Sequence, residues 1–354
     1  MIVLGIESSC DETAIGIVRD HHELLANVVH SQIDIQKAFG GVVPEIAARS
    51  HIEVILPVLA QALEQAQLTW DDIDAIATVE GPGLIGSILI GSLTARTLAL
   101  LKNKPLYAVN HMVGHVYANF LTTYPDSIAS PPPAAIPTFP MLAVMVSGNH
   151  SQLVFYKDHF SYQLLGQTQD DAIGEAFDKV AKIIGLPYPG GPSIAAAALH
   201  GNDRAYTFPK ARMTQPYDFS FSGLKTAVLR RVQQICGKDY DFPSTQLAAL
   251  LSESQRNDIA ASFQRIAIET IVDKVVTAYR EFNPSSVVVG GGVAANSELR
   301  RQLTERLPCP LEYAAPQLCT DNGAMIAAVG SYAAEYQKRA DPYTLRVNPY
   351  RRQM

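Results

Sequence analysis

The chain has 354 residues, of which 47% are apolar. That length predicts two domains, and the apolar share excludes bulk disorder. With 28 Lys and Arg against 34 Asp and Glu the net charge is −6, so no global basic field draws nucleic acid, and any such contact needs a local patch or a helper protein. Charged residues make up only 18%, below the usual ~25%, so part of the surface is expected to lie under partners.

In chain order, Ile2–Ile6 reads as a buried strand running into a small polar turn, Glu7 to Thr13. Apolar runs at Ala14–Val18 and Leu24–Val29 follow as two more strands. Ile52, Ile55, Leu56, Leu59 and Leu63 keep the spacing of a helix. Ile73–Val79 then enters the turn Gly81-Pro82-Gly83, followed by a helix at Ser87–Leu101 and a strand at Leu106–Val109. The apolar stretch Leu84–Leu101 is broken by Ser87, Ser92, Thr94 and Arg96, and reads as a buried helix, not a membrane span. No basic segment followed by a long apolar run opens the chain, so no secretory leader is expected.

Residues 122–140 are rich in proline and read as a linker. Beyond it the plan repeats: Met141–Val146, a polar turn at Ser147 to Ser151, then strands at Leu153–Tyr156 and Phe160–Leu165. A helical stripe at Ile259, Phe263, Ile266 and Ile271 precedes Ser286–Val289, the turn Gly290-Gly291-Gly292, a helix at Ser297–Leu307 and a strand near Leu311–Tyr313. The expected fold is therefore α/β, two duplicated β-β-β-α-β-α lobes with a cleft between them. The expected divisions are a first lobe over 1–121 with a C-terminal helix at 323–340 packing back on it, the linker, a second lobe over 141–322 and a tail over 341–354.

Several motifs carry chemistry. Gly81 to Gly86 matches G-x-G-x-x-G, but no acidic residue follows at the distance a ribose needs, and no P-loop exists. His111 and His115 stand at i and i+4, so on a helix they share a face and can share a metal. Met112 occupies the place of a zinc-protease general base, which removes that reading. A third ligand must come from elsewhere, and Asp321 qualifies. Two imidazoles and a carboxylate suit Fe(II) or Zn(II) with open positions. Asp171, Glu175 and Asp178 are expected on one helical face, where their repulsion needs a cation, ribose hydroxyls or solvent. The triple-glycine turn offers a flat surface for a purine or ribose with Asn296 as hydrogen-bonding partner, or an ordinary turn with Asn296 as helix cap. Three basic clusters stand out: Lys225, Arg230 and Arg231; Arg300, Arg301 and Arg306; Arg346, Arg351 and Arg352. The four cysteines, Cys10, Cys236, Cys309 and Cys319, form no C-x-x-C pair, which fits a reducing compartment.

Together these segments resemble the universal tRNA threonylcarbamoyladenosine transferase family in its bacterial form. The resemblance runs over roughly Ile2 to Ser331. It is carried by Gly5 to Thr13, Gly41 to Glu45, Gly81 to Leu84, His111 and His115, Gly174 to Lys179, Tyr188 to Pro192, Phe219 to Lys225, Gly290 to Gly292 and Cys319 to Met325. The family belongs to the actin, sugar-kinase and heat-shock ATPase superfamily. The resemblance implies one divalent metal per subunit on His111, His115 and Asp321, with Fe(II) favoured and Zn(II) the alternative. It implies that Met145, Val146, Ser147, Gly148, Asn149, Asp178, Gly191 and Asn296 line a nucleotide or threonylcarbamoyl-adenylate site. Asn149 departs from the family's usual Ser-Gly-Gly-His-Thr.

The implied reaction moves the threonylcarbamoyl group from threonylcarbamoyl-AMP to the exocyclic N6 amine of the adenosine just 3′ of the anticodon, in tRNAs reading codons that begin with A. Asp11 and Glu12 are candidates to orient that amine or take its proton. The implied partners are tRNA, an inactive paralogue of similar fold and a small P-loop ATPase, in the cytoplasm and without a membrane. The alternative is an ATP-dependent phosphotransferase or ATPase of the same superfamily. A regulatory scaffold is a third reading.

Overall fold

The computed structural model describes the chain except residues 40, 127, 129–132, 134, 310 and 352–354. The chain forms two compact units, one of Met1–Thr138, Asp158–Tyr162 and Glu312–Met354, the other of Phe139–Lys157 and Gln163–Leu311. Residues 127, 129–132 and 134 of the expected linker, and Arg352 of the third basic cluster, lie outside the described residues.

The first unit opens with β1 (Ile2–Glu7), β2 (Glu12–Arg19) and β3 (Glu23–Ser31). Helices α1 (Ile33–Lys37) and α2 (Pro44–Ala66) follow, then β4 (Ala75–Gly81), α3 (Ile85–Leu101), β5 (Leu106–Asn110) and α4 (His111–Tyr117). The five strands form one sheet in the order β3-β2-β1-β4-β5. The hairpins pair antiparallel, whereas β4 runs parallel to β1 and β5, as the β–turn–α–β connection dictates. Ile55, Val58, Leu59 and Ala62 of α2 bury themselves in the same cluster as Leu4, Ile15 and Ile17. Ile52 and Leu56 of the expected helical stripe instead lie 60% and 61% exposed, so α2 carries a second apolar face that its own unit does not cover. Among the described residues α2 is also the one helix long and apolar enough to cross a membrane by length and composition.

The second unit repeats the plan. Its elements are β6 (Met141–Val146), β7 (Ser151–Asp158), β8 (Ser161–Gln167), α5 (Ile173–Ile184), α6 (Gly190–Ala198), α7 (Ser222–Ile235), α8 (Ser244–Leu247), α9 (Glu253–Phe282), β9 (Ser286–Gly290), α10 (Ser297–Arg306) and β10 (Leu311–Tyr313). The sheet order is β10-β9-β6-β7-β8, the order of the first sheet read from its other edge. β9 runs parallel to β6, and the expected duplication is thus present strand for strand.

Two short segments then return the chain to the first unit, α11 (Pro316–Cys319) and α12 (Gly323–Tyr336). Residues 314–322, expected with the second lobe, therefore belong to the first. The reason is local: Ala314 N–H donates to Asn119 Oδ1 and Ala315 N–H to the Tyr124 hydroxyl. Asn322 caps α12 by accepting from Met325 N–H, and α12 lies flush on the first sheet because Gly16 and Gly323 meet without side chains. A Cβ on Gly16 would stand 2.1 Å from the Ala324 nitrogen, well inside any van der Waals contact.

Candidate metal centre

All three expected ligands sit in the first unit. Asn110 caps α4, its side chain accepting from Met112 and Val113 N–H, so the helix begins at His111 and places His115 one turn on. The two rings stand 4.8 Å apart at 82°. The close seat of α12 carries Asp321, two residues before it, to the same spot. Asp321 Oδ1 lies 3.6 Å from His111 Nε2 and 3.2 Å from His115 Nε2. The ligand atoms of the three residues all fall within 4.8 Å of one another. Donors about 2.0–2.2 Å from one ion stand roughly 3–3.5 Å apart; the two distances to Asp321 fall close to that range, and the cluster is compatible with a single divalent metal.

His115 gives the sharper sign. It is 1% exposed, and among the described residues neither ring nitrogen has a hydrogen-bond partner; the 3.2 Å approach of Asp321 does not count as one. Leaving a buried polar group unmade costs about 1–3 kcal/mol. A metal accepting the lone pair of one ring nitrogen would remove that cost at that nitrogen.

His111 is held from behind. Its Nδ1 lies 2.9 Å from Glu7 Oε2 and 3.1 Å from Ser9 Oγ. Glu7 is fully buried and its other oxygen accepts from Ser9 N–H. A carboxylate on Nδ1 keeps the proton there and turns Nε2 outward as a ligand. Burial pulls the His111 pKa down, but Glu7 and Asp321 outweigh it and raise it to about 9. Reading the sequence assigned Glu7 only to the turn. Its signal was a carboxylate closing a wholly apolar strand, a place where a charge needs a partner.

Asp11 and Glu12 follow in the same turn. His51 Nε2 and Ser87 Oγ both bind the Cys10 carbonyl, and Gln32 N–H donates to the Asp11 carbonyl, which fixes the turn's backbone. Burial first, then Asp321 and Asp11, raise the Glu12 carboxyl to about 9. The Gly81-Pro82-Gly83 turn packs here as backbone: Leu84 N–H donates to the Ser9 carbonyl and Gly83 N–H to that of Pro349.

The remaining expected residues lie in the second unit and are described apart. In the turn after β6, Ser147 N–H donates to the His150 carbonyl, and α5 approaches so that Gly174 and Glu175 N–H donate to the Ser147 and Gly148 carbonyls. The Gly148 and Asn149 N–H groups have no partner among the described residues, and both residues are exposed. Asn149 is not among the residues with positive φ, so its departure from glycine brings no strain. Gly291 has φ +91, and a Cβ there would stand 2.5 Å from the Val146 carbonyl oxygen. The clearance of the triple-glycine turn at Gly291 is thus used by the neighbouring strand end. Asn296 caps α10, accepting from Leu299 N–H and donating to Gln264 Oε1.

The acidic face differs from expectation. Asp171 lies before α5, not on it, and pairs with Lys179 and Lys225 at 2.8 Å each. Lys179 also binds Glu175. Asp178 accepts from Gly190 N–H at 2.6 Å, anchoring the start of α6 beside Gly191. Burial raises the Asp178 carboxyl, and that hydrogen bond opposes the rise.

A family model described as tRNA N6-adenosine threonylcarbamoyltransferase matches residues 23–328. A protein of that name from Thermomicrobium roseum is 47% identical over 348 residues, 96% of this chain and 94% of the relative. Another from Dictyoglomus turgidum is 44% identical over 352 residues, 99% of this chain and 98% of the relative. Among solved structures, HypF of T. kodakarensis matches 95% of this chain and 48% of its own with a TM-score of 0.61 at 12% identity. Component A of the Acidaminococcus fermentans (R)-2-hydroxyglutaryl-CoA dehydratase matches 95% and 100% with a TM-score of 0.50 at 16% identity. These likenesses bear on the fold, which is the two-lobed actin-like α/β class.

Proposed function

The chain belongs to the tRNA N6-adenosine threonylcarbamoyltransferase family, and from that premise we propose that it moves the threonylcarbamoyl group of threonylcarbamoyl-AMP to the N6 amine of the adenosine just 3′ of the anticodon, in tRNAs reading codons that begin with A. Activity of this class is what the relatives' names carry, and the phosphotransferase alternative is not favoured.

The observation that supports the reading best is the His111, His115 and Asp321 set with its orphaned imidazole. These residues would hold Fe(II), with Zn(II) as the alternative. Such an ion supplies Lewis acidity and a template for the donor's oxygens. Glu7 keeps His111 in the ligating tautomer.

The acceptor amine is a weak nucleophile because its lone pair is delocalised into the purine. Its nitrogen forms the new bond to the donor's carbonyl carbon, the carbonyl–phosphate bond breaks, and AMP leaves. With its pKa raised to about 9, Glu12 carries its proton near neutrality and orients the adenine as a hydrogen-bond donor, and the amine's proton passes to Asp11. The Gly148 and Asn149 N–H groups, Met145 to Ser147, Asp178, Gly191 and Asn296 hold the adenylate, the two amides facing its phosphate.

An inactive paralogue of similar fold and a small P-loop ATPase complete the assembly, in the cytoplasm. The exposed Ile52 and Leu56 of α2, with Leu89 and Leu93 of the neighbouring α3, support an apolar docking face for the paralogue. The experiment is mass spectrometry of tRNA nucleosides after reaction of the purified chain with donor, tRNA and partners. Asp321→Ala is expected to lose metal and transfer together. Full transfer by that variant without metal rejects the assignment.

A further inference from the structure

The three basic clusters of the sequence fare differently in the fold. In the second cluster, Arg301 pairs with Glu298 and Glu305 at 2.6 and 2.8 Å, and Arg306 with Asp273 at 2.8 Å. In the third, Arg351 pairs with Glu80 at 2.9 Å. In the first, Lys225 is taken by Asp171. Arg230 and Arg231 are otherwise. Among the described residues neither has a carboxylate partner: Arg230 Nη1 donates to Gln233 Oε1 and the Tyr240 carbonyl, Arg231 Nη1 to Gln234 Oε1. Neutral acceptors aim a guanidinium without cancelling its charge, and most of its five N–H donors stay available.

Both arginines line a concavity of about 780 Å³ in the second unit, with Lys238, Tyr240, Phe208 and Thr207. Aromatic rings are interleaved with the cations. The Arg230 guanidinium stands 4.2 Å from the Tyr240 ring centre, Arg231 5.9 Å from Tyr206, and the Lys238 ammonium 4.9 Å from Phe242. Tyr240 is 71% exposed. Asp239 and Asp241 line the same hollow, so its excess is one positive charge. That small excess gives little general attraction for anions. Affinity has to come from guanidinium forks on individual phosphates and from a base stacked on an aromatic face, which is the chemistry of RNA backbone recognition.

We propose that the hollow between α7 and the segment Lys238 to Asp241 is a docking surface for the phosphodiester backbone of the tRNA substrate, with Arg230 and Arg231 on phosphates and Tyr240 under an unstacked base. The proposal deepens the functional reading above and rests on it. In a chain of net charge −6, a local patch of this kind is what a polyanionic substrate requires.

The test measures binding of an unmodified tRNA transcript to the full-length chain across a salt series, beside transfer kinetics with the partners present. Each phosphate contact contributes roughly 0.7–0.9 to the slope of log K against log salt. Arg230→Gln with Arg231→Gln is expected to weaken tRNA binding about tenfold at ~0.15 M salt and to flatten the slope by roughly 1.5. The rate at saturating tRNA, the metal content and the thermal midpoint stay at wild-type values. Replacing both by Lys keeps the slope. Tyr240→Ala weakens binding with the slope unchanged, because stacking carries no counterion release. Arg301→Gln, in the paired cluster, changes nothing. Wild-type affinity and slope in the double Gln variant, with the native chain modifying tRNA normally, overturn the docking surface and leave the functional reading standing. A native chain that neither bound nor modified tRNA would remove the functional reading and the docking surface with it.

Discussion

The two units share a strand order but spend the turn after their first strand differently. Around the turn after β1 carboxylates gather: Glu7 at the end of β1 behind His111, Asp11 in the turn, and Glu12 at the start of β2 within electrostatic reach of Asp321. After β6 the corresponding turn has no acid and leaves two backbone N–H groups without partners among the described residues. The first arrangement suits a cation and a proton, the second an anion. Duplication supplied one backbone, and the side chains divided the chemistry.

The comparison breaks most plainly at His115. His115→Ala removes a buried ligand, and transfer is expected to fall at least about a thousandfold as several kcal/mol of charge stabilisation disappears. Metal analysis and a nucleoside assay of the same preparation read it. Next comes Glu7→Gln, which keeps shape but weakens the hold on the His111 proton. Metal affinity is expected to drop about 10–100-fold, read by competition with a chromophoric chelator, with the melting midpoint little changed.

On the other turn, Asn149→Pro deletes an N–H that has no partner among the described residues. The KM for the donor is expected to rise about tenfold or more, the value of one charge-assisted hydrogen bond, while metal content stays native. A matched loss of metal there would erase the division between the turns.

The smallest effect concerns an acid of the second unit that is held between two lysines. Burial tends to raise the Asp171 carboxyl, but hydrogen bonds from Lys179 and Lys225 overcome it and hold the pKa below the ordinary value. A depressed carboxylate contributes stability above its unfolded pKa and loses it as pH falls through the folded one. Asp171→Asn is therefore expected to cost no more than about 1 kcal/mol at neutral pH, and the gap from wild type should close below about pH 4. Denaturant melts at the two pH values check it.

Much of the fold was legible because period-2 apolar runs and glycine turns are local signals. The i, i+4 imidazoles were legible for the same reason, and Asp321 through its place before a helix. The rest depended on contacts distant in sequence. Glu7 and His111 meet across 104 positions. Residues 314–322 cross back because a side chain of Asn119 receives them. The Asp171 spacing misled because α5 starts two residues later, at Ile173. Ile52 and Leu56 kept helical period yet face outward, since period alone does not say which of two apolar faces the sheet covers.

The central claim is that one ion is held by two imidazoles and one carboxylate of the first unit. X-ray absorption at the zinc edge, on the full-length chain loaded with one equivalent of Zn(II), tests it most directly. The account predicts only nitrogen and oxygen neighbours at about 2.0–2.2 Å, with the outer-ring scattering of two histidines, and the loss of that pattern in Asp321→Ala. A sulfur neighbour at about 2.3 Å, or an unchanged spectrum in the variant, would contradict it.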